Sequence, residues 1–117
     1  MPTCPDLIRT LRYTLAGIAL ALLPGSCHPA YHAPPVTAQL VKLSPAPKSQ
    51  LENGRRLYET NCAKCHTLED PAHYDRDKLT HEIIPNMAAK AKLREADTKA
   101  LLYYLLAAHD LPQRSPL

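Results

Sequence analysis

Two observations predict that this 117-residue chain is an all-α protein, and a third predicts segments outside its folded domain. Apolar residues recur at helical spacing in three stretches, near residues 51–61, 80–84 and 95–109. Between residues 51 and 111, no run alternates apolar and polar side chains with the period of two that is typical of a strand. The twelve prolines are too many for a chain packed uniformly along its length. We therefore expect one small helical domain with flanking segments.

The first 27 residues are interpreted as a signal peptide. Arg9 and Arg12 precede an apolar run at residues 15–23, which is shorter than the roughly twenty residues that span a bilayer. The sequence LLPGSC, ending at Cys27, resembles a bacterial lipoprotein processing site and predicts a lipid-bearing Cys27 that tethers the protein to the membrane. Ordinary secretory cleavage nearby, or an uncleaved anchor, are the alternatives. In each case we expect export to the periplasm.

Residues 28–50 are predicted to be a proline-rich linker, and residues 112–117 a disordered tail. Prolines exclude a continuous helix or a central strand from the linker, which predicts a semi-extended tether. The folded domain is therefore placed at residues 51–111. The linker prolines are Pro29, Pro34, Pro35, Pro45 and Pro47.

The first two helical stretches flank a cysteine-containing segment. In residues 51–61, apolar residues follow helical spacing, and Gly54 within them indicates close packing against another element, because glycine costs a helix interior about 1 kcal/mol relative to alanine. The second stretch is short. Thr80 is expected to cap the turn that follows it, and Pro85 is expected to interrupt that helix or to start a new turn.

The third stretch, residues 95–109, has the clearest helical pattern. Its apolar stripe contains Leu101, Tyr104, Leu105 and Ala108. Asp97 near its start suits the helix dipole. Arg94 stands at the cap position, where serine or threonine is usual, so Asp97 or another group is expected to compensate.

Cys62, Cys65 and His66 form the motif Cys-x-x-Cys-His, which is the attachment signature of c-type haem. Two thiols one helical turn apart reach two vinyl groups on one porphyrin edge, and the adjacent imidazole reaches the iron. The alternatives are a zinc half-site and a redox-active disulfide. A domain of about sixty residues has a marginal core, so a covalently held porphyrin would also stabilise the fold.

The sequence around this motif resembles the small monohaem class I cytochromes c. Residues 54–58 and 62–68 are similar to the opening of that family, and residues 83–93 and 100–105 are similar to its close. The resemblance implies a cytochrome c-like fold of three or so helices wrapped around one covalently bound haem. It also implies that Gly54 contacts Tyr103 or Tyr104, and that a backbone carbonyl at Pro71 orients the ring of His66.

The resemblance further implies a methionine sulfur as the second iron ligand. Met87 stands at the matching position and is the only methionine besides Met1. A thioether is a soft, neutral ligand that favours ferrous iron and raises the reduction potential relative to a second imidazole. His81 is the alternative ligand, and His73 a weaker one. His109 is expected to complement the dipole at the end of the last helix.

The function predicted from these features is single-electron transfer between larger redox proteins, by a carrier that is not itself an enzyme or by the haem subunit of a larger complex. The alternatives are a haem-based sensor or small peroxidase with a displaceable sixth ligand, and a haem-free thiol oxidoreductase. The net charge of +3, without a Lys/Arg block, does not indicate nucleic-acid binding. Basic residues near the motif either steer acidic partners or are ordinary solvated side chains: Arg55, Arg56, Lys64, Lys90, Lys92 and Lys99.

Overall fold

The computed structural model describes residues 30–112. That part of the chain is helical and contains no strand, so the all-α prediction is confirmed there. The predicted signal peptide, the lipid site at Cys27 and residues 113–117 lie outside the described residues. No helix within residues 30–112 is long and apolar enough to cross a membrane. The α-helices are α1 (Ala38–Lys42), α2 (Lys48–Asn61), α3 (Arg76–Lys78), α4 (Ile84–Lys90) and α5 (Glu95–His109).

Short helical turns connect these helices. A 3₁₀ turn, Cys62–Lys64, continues directly from α2, and a second one, Pro71–His73, follows the motif. A π-helical segment, Leu79–Ile83, joins α3 to α4. Because α3, the π-helical segment and α4 are continuous, they form one helical run, residues 76–90.

The two strongly periodic helices agree with the prediction. Helix α5 has the predicted bounds, and its predicted apolar stripe is buried. Helix α2 begins at Lys48, three residues before its predicted start, and ends at Asn61 as expected. Leu51, Leu57 and Tyr58 form its buried face. Together α2 and α5 form the centre of the domain.

Gly54 is the point at which α2 and α5 cross. A Cβ atom at this position would lie 2.7 Å from the Cβ atom of Tyr104 and closer still to the carbonyl oxygen of Ala100. Only a residue without a side chain allows the two backbones to approach this closely. The predicted contact of Gly54 is therefore confirmed, with Tyr104 as the partner.

The N-terminus of α5 compensates for its unusual cap. Arg94 makes no side-chain cap hydrogen bond. Its Nε instead lies 2.8 Å from the carboxylate of Asp97, and Asn53 on α2 donates to the other oxygen of that carboxylate over 3.3 Å. The hydrogen bond from Arg94, followed by the one from Asn53, lowers the pKa of Asp97. Asp97 therefore stays ionised near the positive end of the helix dipole and links α5 to α2.

The predicted tether requires a correction. Residues 31–47, called the N-terminal strap below, pack on the domain, with Leu40 fully buried. The hydroxyl of Tyr104 donates to the carbonyl of Pro34 over 2.8 Å, and Arg55 Nε donates to the carbonyl of Ala33 over 3.4 Å. Prolines exclude a long helix here, but an extended chain keeps its carbonyl groups free to accept such bonds. The domain therefore begins near residue 31 rather than at Leu51.

The predicted helix start at Thr80 is also wrong. Asp75 is the cap, and its carboxylate accepts from the N–H groups of Asp77 and Lys78, each over 3.0 Å. Thr80 lies inside the helical run, where its hydroxyl donates to the carbonyl of Arg76. Pro85 lies in the first turn of α4, directly after the π-helical segment, so it does not interrupt the helical run as one of the two expectations had it.

We predict that Leu40→Ala lowers the free energy of unfolding by about 2–5 kcal/mol, the usual cost of truncating a fully buried leucine. The matched control is Leu43→Ala, because Leu43 lies on the same strap and is 37% exposed. This control should change stability by less than about 0.5 kcal/mol. Urea unfolding of both variants measures the difference. Equal, small effects would mean that the strap does not belong to the cooperative unit.

Gly54→Ala is expected to destabilise the protein, although alanine is the better helix former. The new methyl group meets backbone and Cβ atoms that cannot rotate away, so α2 and α5 must separate, at a cost of about 1–3 kcal/mol. Ser49→Ala, at an exposed position of the same helix, is the control and should be nearly neutral. A stabilising effect of Gly54→Ala in thermal unfolding would contradict the close crossing.

Candidate functional site

An apolar cleft lies between the motif, the helical run of residues 76–90 and α5. Leu101 and Leu105 of α5 form one wall. Further lining residues come from the π-helical segment, from α4 and, through Pro71, from the second 3₁₀ turn. The apolar side chains that line the cleft are Pro71, Leu79, Ile83, Ile84, Leu101 and Leu105.

Three of the predicted site residues line this cleft together: Cys62, His66 and Met87. They come from the end of α2, the loop that follows it, and α4. Two other candidates do not line it. Cys65 is exposed beside the cleft, and His81 is exposed on the π-helical segment. His73, the weaker candidate, is also exposed and does not line the cleft. Of the three candidates for a second iron ligand, the fold therefore brings only Met87 into the cleft that His66 lines.

His66 is exposed, and its Nδ1 lies 2.6 Å from the carbonyl oxygen of Thr67. A carbonyl only accepts, so Nδ1 carries the proton and the lone pair of Nε2 is free for a metal. The expected partner was the carbonyl of Pro71. That carbonyl instead accepts from the N–H of Tyr74 over 3.2 Å. Pro71 is buried and lines the cleft without orienting the ring.

Cys62 is buried, whereas Cys65 is exposed. Burial raises the pKa of the Cys62 thiol, and the neighbouring Cys65 raises it further. Reactive cysteines of thiol oxidoreductases have lowered pKa values, because the thiolate is the nucleophile. The environment of Cys62 is the opposite of the one that such an enzyme requires.

The position of Met87 depends on the two ends of α4. At the start, the N–H of Ile84 donates to the carbonyl of Leu79, five residues earlier, which is the hydrogen bond of a π-helix. Pro85 follows directly after this bond. At the end, the N–H of Lys92 bonds to Ala89 and that of Leu93 to Ala88, which is the Schellman pattern. Lys92 has a φ of 53°, in the left-handed region that favours glycine. The chain therefore accepts local strain to end α4 shortly after Met87.

Tyr58 fixes the loop that follows the motif. Its hydroxyl donates to the carbonyl of Glu69 and accepts from the N–H of the same residue over 3.0 Å. Burial raises the pKa of Tyr58, so the hydroxyl stays protonated and remains a donor. Both backbone groups of Glu69 are thus held by one side chain of α2, beside the cleft that Tyr58 also lines.

Several cleft residues were not identified from the sequence as site residues. Tyr74 and Leu79 line the cleft, but a tyrosine in a loop and a leucine in a helix are common in any core. Tyr58, Leu101 and Leu105 are identified from the sequence only as parts of apolar helix faces. The only indication of a cleft in the sequence is that these apolar helix faces are wider than contact with one partner helix requires.

The basic residues near the motif differ in their contacts and in their exposure to solvent. Arg55 is paired with Glu59 over 2.8 Å on its own helix, and the ammonium group of Lys99 lies 5.8 Å from the ring centre of Tyr103. Lys64, Lys90 and Lys92 are exposed. Steering of an acidic partner by these residues stays a prediction.

Comparison of the chain with protein-family models, with curated proteins and with solved structures found no match.

Proposed function

We propose that this protein is an exported monohaem cytochrome c that carries single electrons between larger redox proteins. Thioether bonds from Cys62 and Cys65 would hold one haem c, and His66 and Met87 would bind its iron. The observation that carries the proposal is the common cleft: a thiol, an imidazole and a thioether line one apolar cavity. No chemical substrate is transformed in this role.

The donor set fits an iron porphyrin. A free Nε2 on His66 and the soft sulfur of Met87 suit iron, and an apolar wall suits the face of the macrocycle. Cys62 lies at the wall and Cys65 outside it, as expected if both thiols bond to one exposed edge of the ring. When bound, the haem supplies the redox chemistry by alternating between ferrous and ferric iron.

The protein's own residues would keep this site rigid. Tyr58 holds the loop after His66 through both backbone groups of Glu69, and the Schellman turn at Lys92 ends the helix of Met87. Leu101 and Leu105 line the cleft with apolar side chains, which would disfavour water next to the iron. Ligands that stay in place during electron transfer require little reorganisation, so the transfer can be fast.

Export and membrane attachment complete the proposal. The signal peptide directs the chain to the periplasm, where bacterial c-type haem is attached, and a lipid on Cys27 would tether it to the membrane. Because the strap packs on the domain from Tyr31 onward, few residues separate Cys27 from the folded part. A tethered protein would therefore stay close to the bilayer surface.

One observation favours a second candidate, a sensor or small peroxidase with a displaceable sixth ligand. Met87 lies in a short helix that begins in a π-helical segment and ends in a strained turn at Lys92. π-Helical segments often occur at functional sites. Release of Met87 would open the iron to small ligands or peroxide. A third candidate, the haem-free thiol oxidoreductase, is disfavoured by the raised pKa of Cys62.

The first test is covalent haem attachment. We expect intact-mass analysis of protein exported in the presence of the haem-maturation machinery to show the chain plus one haem. A Cys62→Ala, Cys65→Ala double variant should lose the covalent haem, whereas Lys64→Ala, at an exposed variable position of the same motif, should keep it. A bare-chain mass for the unmodified protein, with two reactive thiols, would overturn the proposal in favour of thiol chemistry.

The second test separates the two candidate iron ligands. Met87→Ala is expected to leave the ferrous iron open, so that it binds carbon monoxide and its reduction potential falls. His81→Ala is the matched control and should keep a six-coordinate low-spin spectrum. Opening of the iron by His81→Ala instead would assign the ligand to His81. Ready carbon monoxide binding and substantial peroxide turnover by the unmodified protein would favour the sensor or peroxidase.

A further inference from the structure

A second concave surface, called the outer groove below, is formed by α4, α5 and the turn between them. No residue that lines the outer groove also lines the cleft. The pair of helices therefore separates two concave surfaces with different linings. The apolar residues of the outer groove are Pro85, Ala88, Ala89, Leu93 and Leu102.

Helical geometry places the outer groove on the far side of α4 from Met87. At 3.6 residues per turn, Pro85 and Ala89, two residues before and after Met87, point about 160° away from it. Met87 lines the cleft, whereas Pro85 and Ala89 line the groove. On α5, the neighbouring residues Leu101 and Leu102 divide in the same way. The groove is thus about one helix diameter, roughly 10 Å, from the cleft.

The lining of the outer groove is accessible to a partner. Pro85 and Ala89 are exposed, and Leu93 and Leu102 are only partly buried. The polar part of the lining comes from the first turns of α5. Contiguous exposed apolar surface with a polar rim is typical of an interaction site. The polar lining residues are Glu95, Thr98 and Lys99.

The chain around the groove is basic. Residues 85–102 contain four basic and two acidic residues, whereas residues 67–82 contain two basic and five acidic ones. Lys90, Lys92 and Lys99 are exposed, and within residues 30–112 none of the three is in an ion pair. An acidic partner is therefore attracted to the groove and repelled by the segment that precedes α4.

The shape of the groove favours a protein segment over a membrane surface. A protein lies on a bilayer through apolar side chains that protrude into the lipid. Among the described residues, Leu43 is the only exposed large apolar side chain, and it lies on the N-terminal strap. A concave surface is instead filled by a helix or an extended segment that inserts its own apolar side chain.

We propose that the outer groove is a docking site for an acidic segment of a partner protein. The segment places an apolar side chain against Leu93 and Leu102, and carboxylates beside Lys92 and Lys99. The inference rests on the proposed function for one point, namely that the partner is a redox protein. Charge raises the rate of encounter, and the apolar contact fixes the orientation. The partner then lies against the helix that carries Met87.

The test is an NMR titration of the complete exported protein, labelled with ¹⁵N, at about 0.1 M salt. The probes are two synthetic peptides of about 14 residues, or four helical turns, with the same content of glutamate, leucine and alanine. In the first peptide the leucines share one helix face, and in the second they are spread over all faces. We expect the first to shift the amides of residues 85–102 and to bind about tenfold more tightly than the second, since only it offers an apolar face.

Two variants and a matched control locate the site. Ala89→Glu adds a carboxylate and bulk at an exposed position of the groove, and should weaken binding of the first peptide about tenfold. Lys99→Glu reverses one charge without filling the groove, and should weaken it about threefold. The control is Ala63→Glu, which adds the same side chain at an exposed position of the motif. It should change binding less than about twofold, because salt screens a charge outside the groove.

Four outcomes would overturn the proposal. Weakening by Ala63→Glu instead of Ala89→Glu would move docking to the motif, and equal binding of the two peptides would mean attraction by charge alone. Binding to vesicles of anionic lipid without binding of either peptide would indicate a membrane surface. Dimerisation in analytical ultracentrifugation that Ala89→Glu abolishes would make the occupant a second copy. Amide shifts report binding with or without haem, whereas intact mass reports haem attachment, so failure of this inference and failure of the proposed function are separate results.

Discussion

The crossing of α2 and α5 at Gly54 is the contact on which the rest of this small domain depends. The backbone of α2 lies directly against Ala100 and Tyr104, so no side chain separates the two helices. Helix α2 leads into Cys62, and α5 contributes Leu101 and Leu105 to the cleft wall. The distance between the motif and that wall is therefore set by one residue without a Cβ atom. Tyr104 adds a further link, since its hydroxyl holds the N-terminal strap at Pro34.

The rim of the cleft is held differently from its centre. In the centre, apolar side chains of two helices are buried against each other, and no buried polar side-chain atom among the described residues lacks a partner. At the rim, single polar contacts hold short segments: Tyr58 for the loop at Glu69, and Asp75 for the start of α3. The loop at Glu69 and the start of α3 therefore depend on specific hydrogen bonds, whereas the centre depends on apolar packing.

Much of the helical core could be predicted from local pattern. Helix α5 was placed at its observed bounds, because fifteen residues with a continuous apolar stripe have few alternative structures. The resemblance to cytochromes c predicts that Gly54 contacts Tyr103 or Tyr104, and in the structure the contact is with Tyr104. The predicted start of the helical run of residues 76–90, at Thr80, is wrong, since a π-helical segment inserts an extra residue and breaks the 3.6-residue period. The strap was mistaken for a tether, because prolines indicate what an extended segment cannot form and not what it packs against.

The sequence by itself determined the chemistry that is available: two thiols and an imidazole at fixed spacing, one methionine downstream, and a predicted export signal before them. The spacing of residues that are close in the sequence is fixed by the covalent chain, so it can be recognised without knowledge of the fold. Only the tertiary structure decided which distant groups share a cleft, with Met87 inside and His81 outside. It also decided that His109 reaches the Tyr74 carbonyl, 35 residues away along the chain. Contacts of that kind depend on how helices pack, and helix packing depends on many weak apolar contacts that no local pattern records.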